Sequence, residues 1–214
     1  MRITKFGHAC VRIDHGSTSL VIDPGNFTAP EAVESASAVL ITHAHPDHCF
    51  PANLRATDAP IWTIEEVADT LRADAPDVAE RVSVVRPGEE FDAGLMVRAV
   101  GELHAVIHPE LGRLHNCGYL IDADGATIFH PGDALTGPGQ PIDLLLLPVS
   151  APWLKVSECI DFARDVAAPR NLAIHDTIYS EPGLRIVDGQ LGAFLSATGQ
   201  EYERVAPGDE IAAR

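Results

Sequence analysis

Residues 41–48 read Ile41-Thr42-His43-Ala44-His45-Pro46-Asp47-His48 and follow directly on the apolar run Ala38-Val39-Leu40. His43, His45, Asp47 and His48 thus crowd four metal-ligand side chains into a stretch that opens where an apolar strand closes. Residues two apart at the end of a strand point the same way, so His43 and His45 can share one ion. If the chain then turns into a helix, Asp47 and His48 swing toward a second ion beside the first. Imidazole nitrogens and carboxylate oxygens suit divalent transition metals, so the segment reads as the start of a binuclear metal site.

Outward from this segment, short strands and helices alternate. The first forty residues read as strands at 3–6, 9–13 and 19–22, with His15-Gly16-Ser17 as a tight reversal and Asp23-Pro24-Gly25 ending the run. A strand at 38–42 leads into the metal cluster, a helix is expected at 49–55, a strand at Ile61–Thr63 and a helix at 64–73. Further strands are expected at 82–85, 95–100, 119–122 and 127–130. The continuously apolar run 142–149 suits a strand covered on both faces; a helix over 156–166, a strand at 171–175, a helix near 184–195 and a strand at 202–205 complete the series. Strands mixed with helices throughout suggest two packed sheets with helices outside, and residues 1–214 suit one domain.

Composition excludes several classes. With 15 basic against 31 acidic residues, a net charge of −16 and no block of Lys or Arg, the chain lacks the cationic face that grips phosphate backbones, so a nucleic-acid partner is not expected. The four cysteines, Cys10, Cys49, Cys117 and Cys159, form no C-x-x-C pair, which argues against a disulfide framework or a thiolate zinc site and for the cytoplasm. Neither a signal-peptide core nor an apolar run of membrane-spanning length is present, so no membrane association is expected. A homo-oligomer is compatible with the sequence.

Further candidate ligands follow later strands: His104 after 95–100, Asp133 in His130-Pro131-Gly132-Asp133, and His175 in Ile174-His175-Asp176. The spacings are 56 residues from His48 to His104, 29 to Asp133 and 42 to His175. With FGHACVRI, VIDPG, ITHAHPDH, NCGYLID, FHPGDA, LLLLPV and IHD in this order, the chain resembles the metallo-β-lactamase superfamily, more narrowly its small hydrolases related to the ascorbate-6-phosphate lactonases. The resemblance spans nearly the whole chain and is specific for the superfamily, not for a substrate.

It implies an α+β fold, a four-layer αββα sandwich of two mixed sheets with helices outside and the site at one edge. It implies that His43, His45 and His104 hold one metal, that Asp47, His48 and His175 hold the other, and that Asp133 bridges them. The ions implied are two divalent metals, Zn²⁺ first, with Mn²⁺ or Fe²⁺ as alternatives. A hydroxide bridging the metals is then the nucleophile, and Asp47 or Asp133 orients it and relays its proton. Two divalent ions against these two carboxylates and one hydroxide leave about +1, a site that attracts anions despite an acidic surface. The implied activity is hydrolysis of an ester, lactone or phosphodiester bond in a small-molecule substrate. Two other classes share the motif: a non-haem iron dioxygenase or redox enzyme, and a metal-stabilised binding protein without turnover.

The third ligand of the first metal is the open position, because Val100-Gly101-Glu102-Leu103-His104 lacks the usual glycine flank and His108 and His115 compete. His104 is preferred for its place nearest the strand end. His8 reads equally as a partner of the site and as a buried core histidine. Asp23 is expected to cap a turn or orient a ligand histidine, and His130 to be structural. Trp153 is placed either in the pocket wall or in plain packing, Lys155 and Tyr179 are candidate substrate contacts, and Cys49 is read as a buried small residue.

Overall fold

A computed structural model describes residues 1–212. The antiparallel strands β1 (Arg2–Gly7), β2 (Cys10–His15) and β3 (Thr18–Ile22) open the chain, followed by a 3-10 turn at Pro30–Val33. β4 (Ala38–Leu40), α1 (Pro51–Leu54), β5 (Ile61–Thr63), α2 (Glu65–Asp74), α3 (Pro76–Ala79) and β6 (Val82–Val84) come next. The second half contains β7 (Glu90–Asp92), β8 (Met96–Val100), β9 (Gly118–Ala123), β10 (Ala126–His130), β11 (Leu144–Pro148), α4 (Val156–Val166), β12 (Arg170–Ile174), α5 (Glu181–Ser196), β13 (Glu201–Glu203) and β14 (Glu210–Ala212).

These strands form two seven-stranded sheets, β14-β1-β2-β3-β4-β5-β6 and β13-β12-β11-β10-β9-β8-β7. Each is mixed in the same way. β14 to β3 pair antiparallel and β3 to β6 parallel in the first, while β7 to β10 pair antiparallel and β10 to β13 parallel in the second. The β9–β10 hairpin turns on Asp124-Gly125, both at positive φ, as a two-residue reversal between right-twisted strands demands.

Period-two alternation divides the second sheet between two cores. Tyr119, Ile121, Ile128, Leu144, Leu146, Leu172 and Ile174 face the first sheet, packed with Val11, Ile13, Val21, Val39 and Ile41. Leu120, Phe129, Leu145, Leu147 and Ala173 face outward, where α4 and α5 cover them with Phe162, Leu184, Leu191 and Leu195. Val67 and Leu71 of α2 and Val78 of α3 are buried with the first sheet. The result is the four-layer αββα sandwich. Across the interface the fully buried Tyr119 donates its hydroxyl to the Ile41 carbonyl at 2.8 Å, tying the segment that enters the histidine cluster to the opposite sheet.

The elements depart from expectation mainly at their ends. The strand expected at 38–42 stops at Leu40; beyond it the Ile41 amide still donates to the Trp62 carbonyl of β5, but Thr63 Oγ1 donates to the Ile41 carbonyl and the Cys117 amide to the Thr42 carbonyl, so a side chain and the other sheet take over the carbonyls from the ladder. The helix expected over 49–55 shrinks to one turn at Pro51–Leu54, because Phe50 precedes a proline and stays extended. β7 and β14 were not expected: each is a three-residue edge strand whose identity comes from its neighbour's pairing. The 3-10 turn and α3 are short and proline-started, too brief for periodicity to register.

Candidate metal centre

The ends of β4, β10 and β12, the turn after β1 and the loop after β8 converge at one edge of the sandwich and bring eight side chains into two groups. His43, His45, His104 and Asp133 form one, and His8, Asp47, His48 and His175 the other, with the potential ligand atoms of each group within 4.8 Å of one another. Asp133 reaches both. Its Oδ1 lies 3.2 Å from His48 Nε2, and its Oδ2 lies 3.4 Å from His104 Nε2, 3.2 Å from His175 Nε2 and 3.9 Å from His43 Nε2.

Local chemistry fixes which nitrogen of each ring faces the cluster. His48 Nδ1 donates to Asp23 Oδ2 at 2.8 Å, His104 Nδ1 to the Ala105 carbonyl at 2.6 Å, and His175 Nδ1 to the Ser150 carbonyl at 2.5 Å. With the proton held on Nδ1, the Nε2 lone pair points inward. The buried Nε2 atoms of His48, His104 and His175, and Asp133 Oδ1, have no hydrogen-bond partner. Four orphaned polar atoms converging at one place violate the rule that buried polar groups are satisfied, unless a cation completes them.

Asp23 organises the first half of the cluster. Fully buried, its carboxylate accepts from the Thr42 amide at 2.8 Å and the Thr42 hydroxyl at 2.7 Å as well as from His48, and Thr42 Oγ1 in turn accepts from His43 Nδ1 at 3.0 Å. One carboxylate therefore sets the tautomer of both His43 and His48. On the other side, Asn116 Oδ1 accepts from the Asp133 amide at 2.9 Å, its Nδ2 donates to the Pro131 carbonyl, and Trp153 Nε1 donates to Asp133 Oδ2 at 3.1 Å. His8, Asp23 and His175 all sit at positive φ, three of six such non-glycine residues among those described. Strain of this kind persists where surrounding structure holds it. Here the His175 amide donates to the His8 carbonyl at 2.8 Å, so the two strained residues hold one another.

The electrostatics leave most of these groups in their ligating form. Burial would raise Asp47, but the hydrogen bond from His8 Nε2 at 3.0 Å and the nearby His48 bring it down to about 2. Burial likewise opposes ionisation of Asp133, and His48 and His175 outweigh it, holding the carboxyl well below the usual range. Burial keeps His43 and His45 neutral and pushes His8 down to about 4. His48 goes the other way: burial lowers it, yet Asp133 and Asp23 dominate and raise it above an ordinary imidazole.

All seven residues singled out in the sequence are brought together, and His8 joins them. His115 instead hydrogen-bonds Glu66 at 2.9 Å with its side chain 56% exposed, and His108 is an exposed loop residue that accepts from the Glu110 amide. His130 donates to the Ala9 carbonyl at 2.9 Å and accepts from the Gly132 amide at 3.1 Å, a brace for the turn that presents Asp133. Trp153 walls the site, its ring 5.7 Å from that of His104 and 6.3 Å from that of His175. The Lys155 side chain is 80% exposed and pairs with Glu158, and Tyr179 packs against the α4–α5 core; no contact of either with the cluster is seen among the described residues. Cys49 is buried, its thiol pushed up to about 12 by burial. Sequence reasoning missed Thr42, Asn116 and Ser150, which hold ligand geometry through hydrogen bonds and carry no motif of their own.

Residues 2–175 match the family profile of the beta-lactamase superfamily domain. Protein Rv0786c of Mycobacterium tuberculosis is 41% identical over 198 residues, covering 89% of this chain and 91% of that protein. A UPF0173 metal-dependent hydrolase of Thermococcus kodakarensis is 32% identical over 169 residues, 70% of this chain and 72% of that one. Among solved structures, Igni18, a metallo hydrolase from the archaeon Ignicoccus hospitalis, superposes with a TM-score of 0.75 over 98% of this chain and 97% of its own, at 19% identity. The sandwich, the ligand-rich edge and these relatives agree: the chain belongs to the metallo-β-lactamase superfamily, among its metal-dependent hydrolases.

Proposed function

We propose that this protein is a binuclear metal-dependent hydrolase that cleaves an ester, lactone or phosphodiester bond of a small substrate. His43, His45 and His104 would hold one divalent ion, Asp47, His48 and His175 the other, and Asp133 both, with zinc the first choice and manganese or iron the alternatives. The observation that carries the reading is the convergence of the orphaned His48, His104 and His175 Nε2 atoms on Asp133, whose Oδ1 is itself orphaned. When bound, such ions supply Lewis acidity and an activated water at neutral pH.

The chain's own residues divide the remaining work. Asp47 is the more open carboxylate, with 21% of its side chain exposed, and is the group placed to accept a proton from water and return it to a leaving oxygen. His8 holds Asp47 by its Oδ2, and Trp153 holds Asp133 while excluding water from one side. Four unpaired, buried cysteines support action in a reducing compartment such as the cytoplasm. Among the described residues no helix is long and apolar enough to cross a membrane.

Elemental analysis together with assays on 4-nitrophenyl acetate, a simple lactone and bis-4-nitrophenyl phosphate tests the reading. Close to two metal ions per chain and turnover of at least one substrate are expected. His104→Ala should lose metal and turnover, while His108→Ala and His115→Ala keep both. A single iron per chain without hydrolysis would move the protein to the oxygenase class, and metal loss in His115→Ala with retention in His104→Ala would overturn the ligand set.

A further inference from the structure

By distance alone His8 qualifies as a further ligand beside Asp47, His48 and His175. Its hydrogen bonds exclude it. The Thr177 amide donates to His8 Nδ1 at 3.4 Å, so that nitrogen carries no proton and its lone pair is engaged. The proton of the ring then lies on Nε2, which donates to Asp47 Oδ2 at 3.0 Å; a bare nitrogen there would set lone pair against lone pair. A protonated nitrogen has nothing to offer a cation. His48, His104 and His175 have the opposite arrangement, with Nδ1 on an acceptor and Nε2 bare.

Asp47 depends on this contact. The bond from His8 is the one hydrogen bond its carboxylate makes among the described residues, whereas the Asp23 carboxylate accepts three. With 21% of its side chain exposed, Asp47 can turn to water once that bond is lost. His8 also holds His175, whose amide donates to its carbonyl at 2.8 Å and whose ring centroid lies 3.8 Å from its own. None of His43, His45 and His104 shares a hydrogen bond or ring contact with His8 among the described residues. His8 is buried at a φ of +48°, in the reversal between Gly7 and Cys10. A strained residue kept beside a site is a pointer to a role there.

We propose that His8 is a positioning residue for one of the two ions and a ligand of neither: its Nε2 proton fixes the Asp47 carboxylate and its carbonyl fixes His175, so the ion of Asp47, His48 and His175 depends on it and the ion of His43, His45 and His104 does not. The inference rests on the binuclear reading above and deepens it. Two residues then organise the cluster, Asp23 through His43 and His48, and His8 through Asp47 and His175.

Two variants of the zinc-loaded protein test this. In His8→Asn the short amide suits the positive φ and its oxygen takes the Thr177 amide, but its nitrogen falls short of Asp47. In His8→Gln an N–H lies the same number of bonds from Cβ as Nε2 does in histidine, which restores the donor. Chelator competition with elemental analysis should find one ion bound about 10- to 100-fold more weakly in His8→Asn, the other at wild-type affinity, and much of the loss recovered in His8→Gln. Long-range nitrogen–proton NMR with isotope-labelled histidine should show His8 of the wild type protonated at Nε2 and bare at Nδ1. Wild-type affinity for both ions in His8→Asn would make His8 a packing residue and overturn the inference, as would equal weakening of both. A zinc-bound Nε2, with His8→Gln as impaired as His8→Asn, would make it a ligand and overturn it too. None of these readouts needs turnover, so the expected pattern without hydrolysis of any ester removes the hydrolase and keeps the role of His8. A wild type that takes up a single ion removes the binuclear site and this inference together.

Discussion

Replacing Asp23 by Asn should cost the protein metal without costing it the fold. The native carboxylate is acceptor-only and faces three donors, the Thr42 amide, the Thr42 hydroxyl and His48 Nδ1, at 2.8, 2.7 and 2.8 Å. An amide offers one acceptor oxygen and one donor nitrogen; toward the Thr42 amide that nitrogen would meet a donor that cannot reverse, so it takes the place of Oδ2, where it faces the Thr42 hydroxyl and His48 Nδ1. The relief open to His48 is the other tautomer, with Nδ1 accepting and the proton on Nε2, and that ring cannot ligate. Losing such a partner typically lowers metal affinity by about 10- to 100-fold, roughly 1.4–2.7 kcal/mol. The backbone is spared, because Asn tolerates the φ of +51° at this position better than most residues. Chelator competition on folded Asp23→Asn, backed by elemental analysis after dialysis, reads the effect. Wild-type affinity at both sites would refute the argument that the tautomer is set here.

Two further predictions concern stability. A Cβ at Gly25 would lie 1.8 Å from the Asp47 carbonyl oxygen and 2.5 Å from the His48 amide nitrogen, backbone atoms that cannot swing aside. Gly25→Ala should therefore destabilise the protein by about 2 kcal/mol or more and displace Asp47, visible as a lower melting temperature with reduced metal content; an unchanged melt would show that the loop yields freely. At Asp14, burial raises the carboxyl, but hydrogen bonds from Ser19, Arg12 and Arg2 outweigh it and hold the folded-state value below the unfolded one. Its contribution, on the order of 1 kcal/mol, is present above the unfolded pKa of roughly 4 and is lost as pH falls through the lower folded value. The melting-temperature gap between wild type and Asp14→Asn should accordingly be full at pH 6 and narrow below about pH 4, and a gap that widens on acidification would reverse the sign.

The sequence by itself named the candidate ligands because ligation depends on residue type at the ends of apolar strands, and both are readable locally. Ala38 to Leu40, the run into Leu144–Pro148 and the short apolar runs of β9, β10 and β12 announce strands by themselves. From that alone His43, His45, Asp47, His48, Asp133 and His175 could be named, while His104 was preferred over His108 and His115 only for its place nearest the strand end. Only the tertiary structure separated those three, since a loop histidine's direction depends on where its neck is closed, and Leu114, Arg113 and Ala105 close this one around His104. The edge strands β7 and β14 were equally invisible, because their pairing energy resides in a neighbour. Asp23, Thr42, Asn116 and Ser150 act across 17 to 25 residues or through one adjacent ring, so no local pattern encodes which nitrogen the ligand rings leave free. His8 was a coin-toss between core and site until the sheets brought β1 against the end of β12, where its ring meets Asp47 and its carbonyl meets the amide of His175.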